Sequence, residues 1–414
     1  MLSKEENKLM THVEGDAPMG KFLRQYWVPA CRSEALAADG DPVRVRLFGE
    51  NFVAFRATDG RVGVFDESCP HRGCSLLLAR NEESSLTCIF HGWKFHVSGK
   101  TIHVPTEPAE RHDAFCKKVP LKSYPVREAG TIIWVYLGDG EAPAFPMFEF
   151  NQLPDSHVFS RVGYTTCNYV QGLEATIDTV HAGVLHKDWI LNDDSLVDSL
   201  SKDEWVSMME NPSAVYEIDH VSYGLKAAAL RNLPSGNQYV RVTEYIFPFF
   251  TYIPFGNFPK LMIAAVPVDN ENTAQWYISY NPNAPVDPTF FDSTIGPDPN
   301  NFYNPKGTFD NRWLQDRKKM REGAWTGVGG LIFEDFIVEE SMGAIVDRSK
   351  EFLGSGDALI ARTRRLLLKA LRDYEQEKDI FGRNEPIDYA SIRAKAGFLP
   401  GDIDWRTGAK LQLT

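Results

Sequence analysis

From residue 43 the chain alternates apolar and polar side chains with a period of two, the pattern of strands that bury one face. Val43-Arg44-Val45-Arg46-Leu47-Phe48 reads as one strand and Phe52-Val53-Ala54-Phe55-Arg56 as the next. An Asp59-Gly60 turn leads into Val62-Gly63-Val64-Phe65, and that turn between two strand-like runs predicts a β-hairpin. Thr131-Ile132-Ile133-Trp134-Val135-Tyr136-Leu137 is an apolar strand closed by Gly138-Asp139-Gly140. Ala142-Pro143-Ala144-Phe145-Pro146 follows as a linker. The pattern predicts an all-β domain ending near residue 140 and, with the N-terminal segment, occupying 1–145.

Beyond the linker the periodicity is mixed. A helical pattern begins near Tyr169, and strand-like runs follow at 239–246, 261–266 and 275–280. The Pro-, Asn- and Asp-rich stretch 281–306 reads as an extended loop. Two helices, 336–352 and 357–376, are expected to close the domain. The fold class is therefore α+β: an all-β domain, then a mixed domain at 146–414 in which helices cover an antiparallel sheet. No internal repeat or low-complexity segment interrupts this plan.

The 414 residues suffice for two domains, and 43% hydrophobic with 24% charged residues is ordinary for a globular chain. A formal net charge of −12 disfavours nucleic-acid binding. The first eight residues are charged and lack the apolar run of a signal peptide, and no run of 18 apolar residues offers a membrane span. The six cysteines show no disulfide-framework spacing, so the expected location is cytoplasmic.

Two of those cysteines belong to matched pairs: Cys69-Pro70-His71 and Cys88-Ile89-Phe90-His91. Two thiolates and two imidazoles on two short loops are what a Rieske [2Fe–2S] centre needs, one iron on sulfur and the other on nitrogen. Gly73 and Gly92 follow the pairs and would let the backbone approach the cluster. The competing reading, structural zinc, is disfavoured because a single residue separates Cys69 from His71. Arg72, Arg80, Lys94, Lys100, Lys117, Lys118 and Lys122 gather around this motif and suit an acidic electron-donor protein.

An electron carrier would need only the first domain. Glu174-x3-Asp178-x2-His181-x4-His186 gives the rest a purpose, because two imidazoles and one carboxylate can hold one face of a non-haem iron. On a regular helix Glu174, Asp178 and His181 share a narrow face. His186 lies about 140° around from His181, so a bulge or break, expected as a π-bulge near Gly183, is required for both to bind one metal. The third ligand must be distant. Asp335, in Ile332-Phe333-Glu334-Asp335-Phe336, is the candidate and would begin a helix; Glu334 and Glu339 compete with it.

Cys-Pro-His-Arg-Gly-Cys followed by Cys-Ile-Phe-His-Gly-Trp resembles the Rieske motif of aromatic-ring oxygenases. The runs at 14–20, 46–50 and 347–354 resemble the phthalate-dioxygenase branch of that family. In respiratory Rieske proteins the cysteine at the Cys74 position forms a disulfide, but its partner position here is Phe90. The resemblance implies mononuclear iron on His181, His186 and Asp335. It gives Asp178 a bridging role, hydrogen-bonded to a cluster histidine of the neighbouring subunit, and hence a homotrimer or stacked trimers.

The same resemblance implies a terminal oxygenase component that uses O2 to oxidise an aromatic carboxylate, by ring dihydroxylation or alternatively by O-demethylation or aryl-ether cleavage. Candidate carboxylate anchors are Lys226, Arg231 and Arg241. No Gly-x-Gly-x-x-Gly lies between a strand and a helix, and no plant-ferredoxin motif is present, so NADH must act through a separate reductase. The family implies FMN and a plant-type [2Fe–2S] cluster in that partner. The alternative from another class is a non-catalytic Rieske electron-transfer protein; a second iron site on His181, His186 and Asp335 discriminates against it.

Overall fold

A computed structural model describes residues 2–188, 202–254, 259–288, 307–383, 385–407 and 412–413. The chain forms two compact units, Leu23–Phe145 and a second made of Met1–Phe22 with Pro146–Thr414. The N-terminal segment therefore belongs with the second unit, a correction to its expected grouping in 1–145. Side-chain chemistry explains the placement. Tyr169 Oη donates to Met10 O, Asn168 Nδ2 to Thr11 O and Asn7 Nδ2 to Val346 O, so the first helix is tied down by buried polar groups. That helix, Lys4–Thr11, starts with a capping box between Ser3 and Glu6.

The Leu23–Phe145 unit contains three small antiparallel sheets. Val43–Leu47, Glu50–Arg56 and Val62–Asp66 form one meander, as the alternation predicts. Ile132–Tyr136 lies between Trp27–Arg32 and Val126–Ala129 and is buried throughout, which accounts for its unbroken apolar run. Arg80–Glu82, Ser85–Thr87, Lys94–His96 and Thr101–His103 make the third sheet. One hydrophobic core, including Phe55, Phe65, Leu86 and Phe95, also holds Cys69 and Cys88.

The second unit is built on a large antiparallel sheet. Its order runs Val158–Thr165, Thr273–Tyr280, Lys260–Pro267, Phe250–Ile253, Asn237–Ile246, Gly224–Asn232, Val215–Val221, and Lys395–Pro400 also pairs with Asn237–Ile246. Lys260–Pro267 and Thr273–Tyr280 are buried at every position because both faces of the sheet are covered there. The helix Tyr169–Ile177 packs on these central strands.

The helices expected at 336–352 and 357–376 are found at Leu331–Ser341 and Ala358–Glu375. The first stops early because Gly343 takes a φ of +88° just beyond the Met342 cap. The loop expected at 281–306 lies outside the described residues from 289 onward. No helix among the described residues is long and apolar enough to cross a membrane.

Candidate functional site

The two Cys/His loops share one backbone plan. Cys69 N donates to Cys74 O at 2.8 Å, and Gly73 N to Cys69 O at 2.9 Å. Cys88 N donates to Trp93 O at 2.8 Å, and Gly92 N to Cys88 O at 2.9 Å. Gly73 and Gly92 have φ of +72° and +73°, the left-handed turn that reverses each loop. The structure thus brings all four sequence-predicted residues to neighbouring loop tips. The His71 and His91 rings stand 4.4 Å apart, edge to face.

Trp93 closes this site from one side, a role its sequence position did not signal. Its ring stacks on His71 at 4.4 Å with 9° between planes, and its Nε1 donates to Thr106 Oγ1. Phe90 occupies the expected non-cysteine position, more than half exposed, with the Arg72 guanidinium over its ring. Cys74 is a free thiol. Of the basic residues gathered in sequence, Arg80 and Lys94 are paired with Glu82 and Glu83. Arg72, Lys100, Lys117, Lys118 and Lys122 are exposed.

A [2Fe–2S] cluster fits these residues. Burial pushes the Cys69 thiol up to about 11, and the neighbouring Cys88 thiol further opposes ionisation. His91 Nδ1 is buried without a hydrogen-bond partner. An orphaned buried imidazole nitrogen is costly unless a metal takes its lone pair, and a bound metal would deprotonate the two thiols beside it.

The second group forms at a helix break, in a different place from the expected one. The helix Tyr169–Ile177 ends at Asp178, whose backbone is extended at φ −79°, ψ 111°. A new short helix, Ala182–Leu185, starts after His181. The shared helical face of Glu174, Asp178 and His181 is therefore lost, and the bend comes at 178–180 instead of as a π-bulge near Gly183. Gly183 serves another purpose: a Cβ there would lie 2.4 Å from Met208 O, so the short helix could not pack as it does on Lys202–Glu210. Glu174 turns away into a buried cluster with Arg348 and Arg364.

The break brings His181, His186 and Asp335 together, with one potential ligand atom from each lying within 4.8 Å of the others. Asp335 Oδ1 is 3.4 Å from His181 Nε2 and 3.2 Å from His186 Nε2. Carboxylates stand behind both rings. Asp178 Oδ2 is 3.3 Å from His181 Nδ1, and Glu334 Oε2 is 2.8 Å from His186 Nδ1. Thr326 Oγ1 in turn donates to Glu334 Oε1 at 2.5 Å. With Nδ1–H given to these carboxylates, two Nε2 lone pairs and a buried Asp335 Oδ1 that accepts no well-formed hydrogen bond converge on one point. Three acceptors facing one another need a cation, so the donor set fits a divalent metal. Without a metal a proton takes that place: against burial, which would lower it, Asp178 and Asp335 raise His181 to about 10.

Asp335 sits on the fifth residue of Leu331–Ser341, past the first turn, so the expected helix-start setting does not hold. Of its competitors, Glu334 faces His186 Nδ1. Glu339 is buried, accepts from Gln275 Nε2 at 2.7 Å, and is held well above the usual carboxylate range by burial and by Asp335. Glu334 entered the sequence reading only as a rival ligand. The signal for its orienting role was its place beside Asp335.

A pocket with a cavity volume of about 70 Å³ opens at this group. Its wall is mostly apolar, with Ile253, Leu261, Ile263, Leu331 and Ile332, and Arg241 is its cation. Arg241 Nε donates to Thr179 Oγ1 at 2.7 Å, and its guanidinium lies 5.7 Å from the Trp205 ring centroid. Lys226 and Arg231 do not line the pocket. Lys226 pairs with Glu244 at 3.4 Å, and Arg231 is buried, donating to Asn211 O and Thr179 O.

Known proteins match both units. Residues 26–125 match the Rieske [2Fe-2S] domain, and 135–412 the family described as LigXa C-terminal domain like. The phthalate 4,5-dioxygenase oxygenase subunit of Pseudomonas putida is 38% identical, over 98% of this chain and 94% of its own. The 3-chlorobenzoate-3,4-dioxygenase oxygenase subunit of Comamonas testosteroni is 33% identical over 98% of both. The 5,5'-dehydrodivanillate O-demethylase oxygenase subunit of Sphingobium sp. is 26% identical over 92% and 82%. Dicamba monooxygenase bound to dicamba shares the fold, at 18% identity and a TM-score of 0.58 over 86% of this chain and 100% of that one. Two metal-fitting donor sets, two domain matches and full-length relatives lead to one conclusion: the chain belongs to the Rieske non-haem iron aromatic-ring oxygenases, as an oxygenase subunit of the phthalate-dioxygenase-like branch.

Proposed function

We propose that the chain is the terminal oxygenase that oxidises an aromatic acid at the His181, His186 and Asp335 site, by ring dihydroxylation. The observation that carries this reading is the union of a two-His, one-carboxylate donor set with an apolar pocket holding one guanidinium. Cys69, His71, Cys88 and His91 would hold the [2Fe–2S] cluster, and the triad would hold Fe(II). When bound, these centres supply single electrons and O2 activation.

The chain's own residues do the rest. Arg241 binds the substrate carboxylate, and Thr179 keeps its guanidinium in place. Ile253, Leu261, Ile263 and Ile332 exclude water around the ring. Asp178 and Glu334 hold the Nδ1 protons of His181 and His186, which fixes the tautomers that point Nε2 into the site. Asp178 also bridges to a cluster histidine of the next subunit, so that the working unit is a homotrimer. NADH electrons come from a separate reductase carrying FMN and a plant-type cluster, guided by the exposed Arg72, Lys117 and Lys118.

The similarity to a 5,5'-dehydrodivanillate O-demethylase oxygenase subunit supports O-demethylation as a second reading. A single turnover of the iron-loaded, dithionite-reduced protein with 18O2 separates the two. A diol carrying both labelled atoms establishes dihydroxylation, and formaldehyde from a methoxybenzoate establishes demethylation. No oxidation of any aromatic acid, with full iron and cluster occupancy, removes the proposal.

A further inference from the structure

We infer that the pocket selects an aromatic acid with a single carboxylate and rejects a second carboxylate on the adjacent ring carbon. This rests on the proposed oxidation of an aromatic acid at the same site. Arg241 is the one arginine or lysine among the described lining residues. Arg241 meets the Thr179 hydroxyl and the Trp205 indole ring, with the Glu204 carboxyl and the Tyr239 phenol as further neighbours. A guanidinium offers a planar fork that suits one carboxylate, and the Thr179 bond already uses Nε.

A neighbouring carboxylate would need a second source of positive charge or several donors. The other cations of this sheet lie outside the described lining. Lys226 pairs with Glu244 and Lys260 with Glu149, Arg231 holds backbone carbonyls of Asn211 and Thr179 through Nε and Nη2 with its Nη1 buried and unpartnered, and Arg161 lies 5.0 Å over the Phe159 ring. By sequence, the residues outside the described ones carry no arginine. They contain Asp193, Asp194, Asp198, Asp292 and Asp298 against Lys306 and Lys410. A second carboxylate would therefore lose its water against aliphatic side chains. Its place is better filled by hydrogen, methyl, halogen or an ether.

Calorimetric titration of the iron- and cluster-loaded full chain with 2-methylbenzoate and with phthalate tests this, since the two differ chiefly in exchanging a methyl for a second carboxylate. We expect 2-methylbenzoate to bind at least about tenfold more tightly than phthalate, roughly 1.4 kcal/mol. Arg241→Met should weaken 2-methylbenzoate about 30-fold or more while the visible cluster spectrum stays intact, and Arg241→Lys should recover part of the loss. Phthalate binding as tightly as 2-methylbenzoate to the wild type overturns the inference and leaves the aromatic-acid reading standing. A wild type that binds neither acid but binds a neutral aryl ether removes both. The wild-type comparison decides even if an Arg241 variant misfolds.

Discussion

Glu334 Oε2 lies 2.8 Å from His186 Nδ1, and the residue after Glu334, Asp335, faces the opposite nitrogen of the same ring at 3.2 Å. One turn of helix thus supplies both a ligand candidate and the carboxylate that orients its neighbour. Glu334→Ala removes the acceptor for Nδ1–H and frees the ring to change tautomer. Iron affinity should fall about 10- to 100-fold, measured by competition with a chelator, with the cluster absorption unchanged. Unaltered affinity would show that Glu334 is only a buried acid.

Asp335→Ala and His181→Ala should each lose mononuclear iron and turnover while keeping the cluster. Iron and acid-labile sulfide counted on one sample check this, expecting about three irons per two sulfides in the wild type and two in the variants. If Asp335→Ala retains the third iron, the ligand assignment is wrong.

Asp178→Asn keeps the shape of a side chain that also accepts from Val180 N at 2.7 Å, so the helix break should survive. Both metal centres should load normally, while stopped-flow electron transfer from cluster to iron slows severely. Transfer at the wild-type rate would leave Asp178 as no more than the group that orients His181.

Glu244 yields a pH prediction away from both metal sites. Burial raises its carboxyl to about 7, with Lys226 and Tyr223 only partly opposing the shift. Because its folded value exceeds the unfolded one near 4.5, the folded state holds the proton more tightly. This contribution to stability is full below about pH 4.5 and is lost as the pH rises through 7. Glu244→Gln should therefore flatten the pH dependence of the unfolding free energy across that window. It should also stabilise the protein at pH 8 by up to about 3 kcal/mol. Denaturant titrations at pH 5 and pH 8 test it; an equal change at both would contradict the assignment.

Much of this molecule is legible in local sequence because its decisive features are local. Alternation fixed the 43–66 meander, since each strand buries one face, and the close pairs Cys69/His71 and Cys88/His91 needed only tight loops to present them. Less visible were Val158–Thr165 and Lys395–Pro400, whose burial depends on partners far away in sequence. Lys226 and Arg231, expected as carboxylate anchors, fell on strands where cross-strand neighbours, not composition, decide direction.

The sequence by itself determined which atoms exist for chemistry: two Cys/His pairs, a clustered pair of histidines, one distant Glu-Asp pair and a chain long enough for two units. Only the tertiary structure decided how they meet. The break at 178–180 turns His181 toward His186, and the helix Leu331–Ser341 brings Asp335 to both from 149 residues beyond His186. It also decided that Arg241 lines the pocket while Arg231, ten residues earlier, holds backbone carbonyls. Spacing along a chain constrains partners within a turn or a hairpin. A site assembled from a helix break, a sheet face and a remote helix depends on packing that no local pattern encodes.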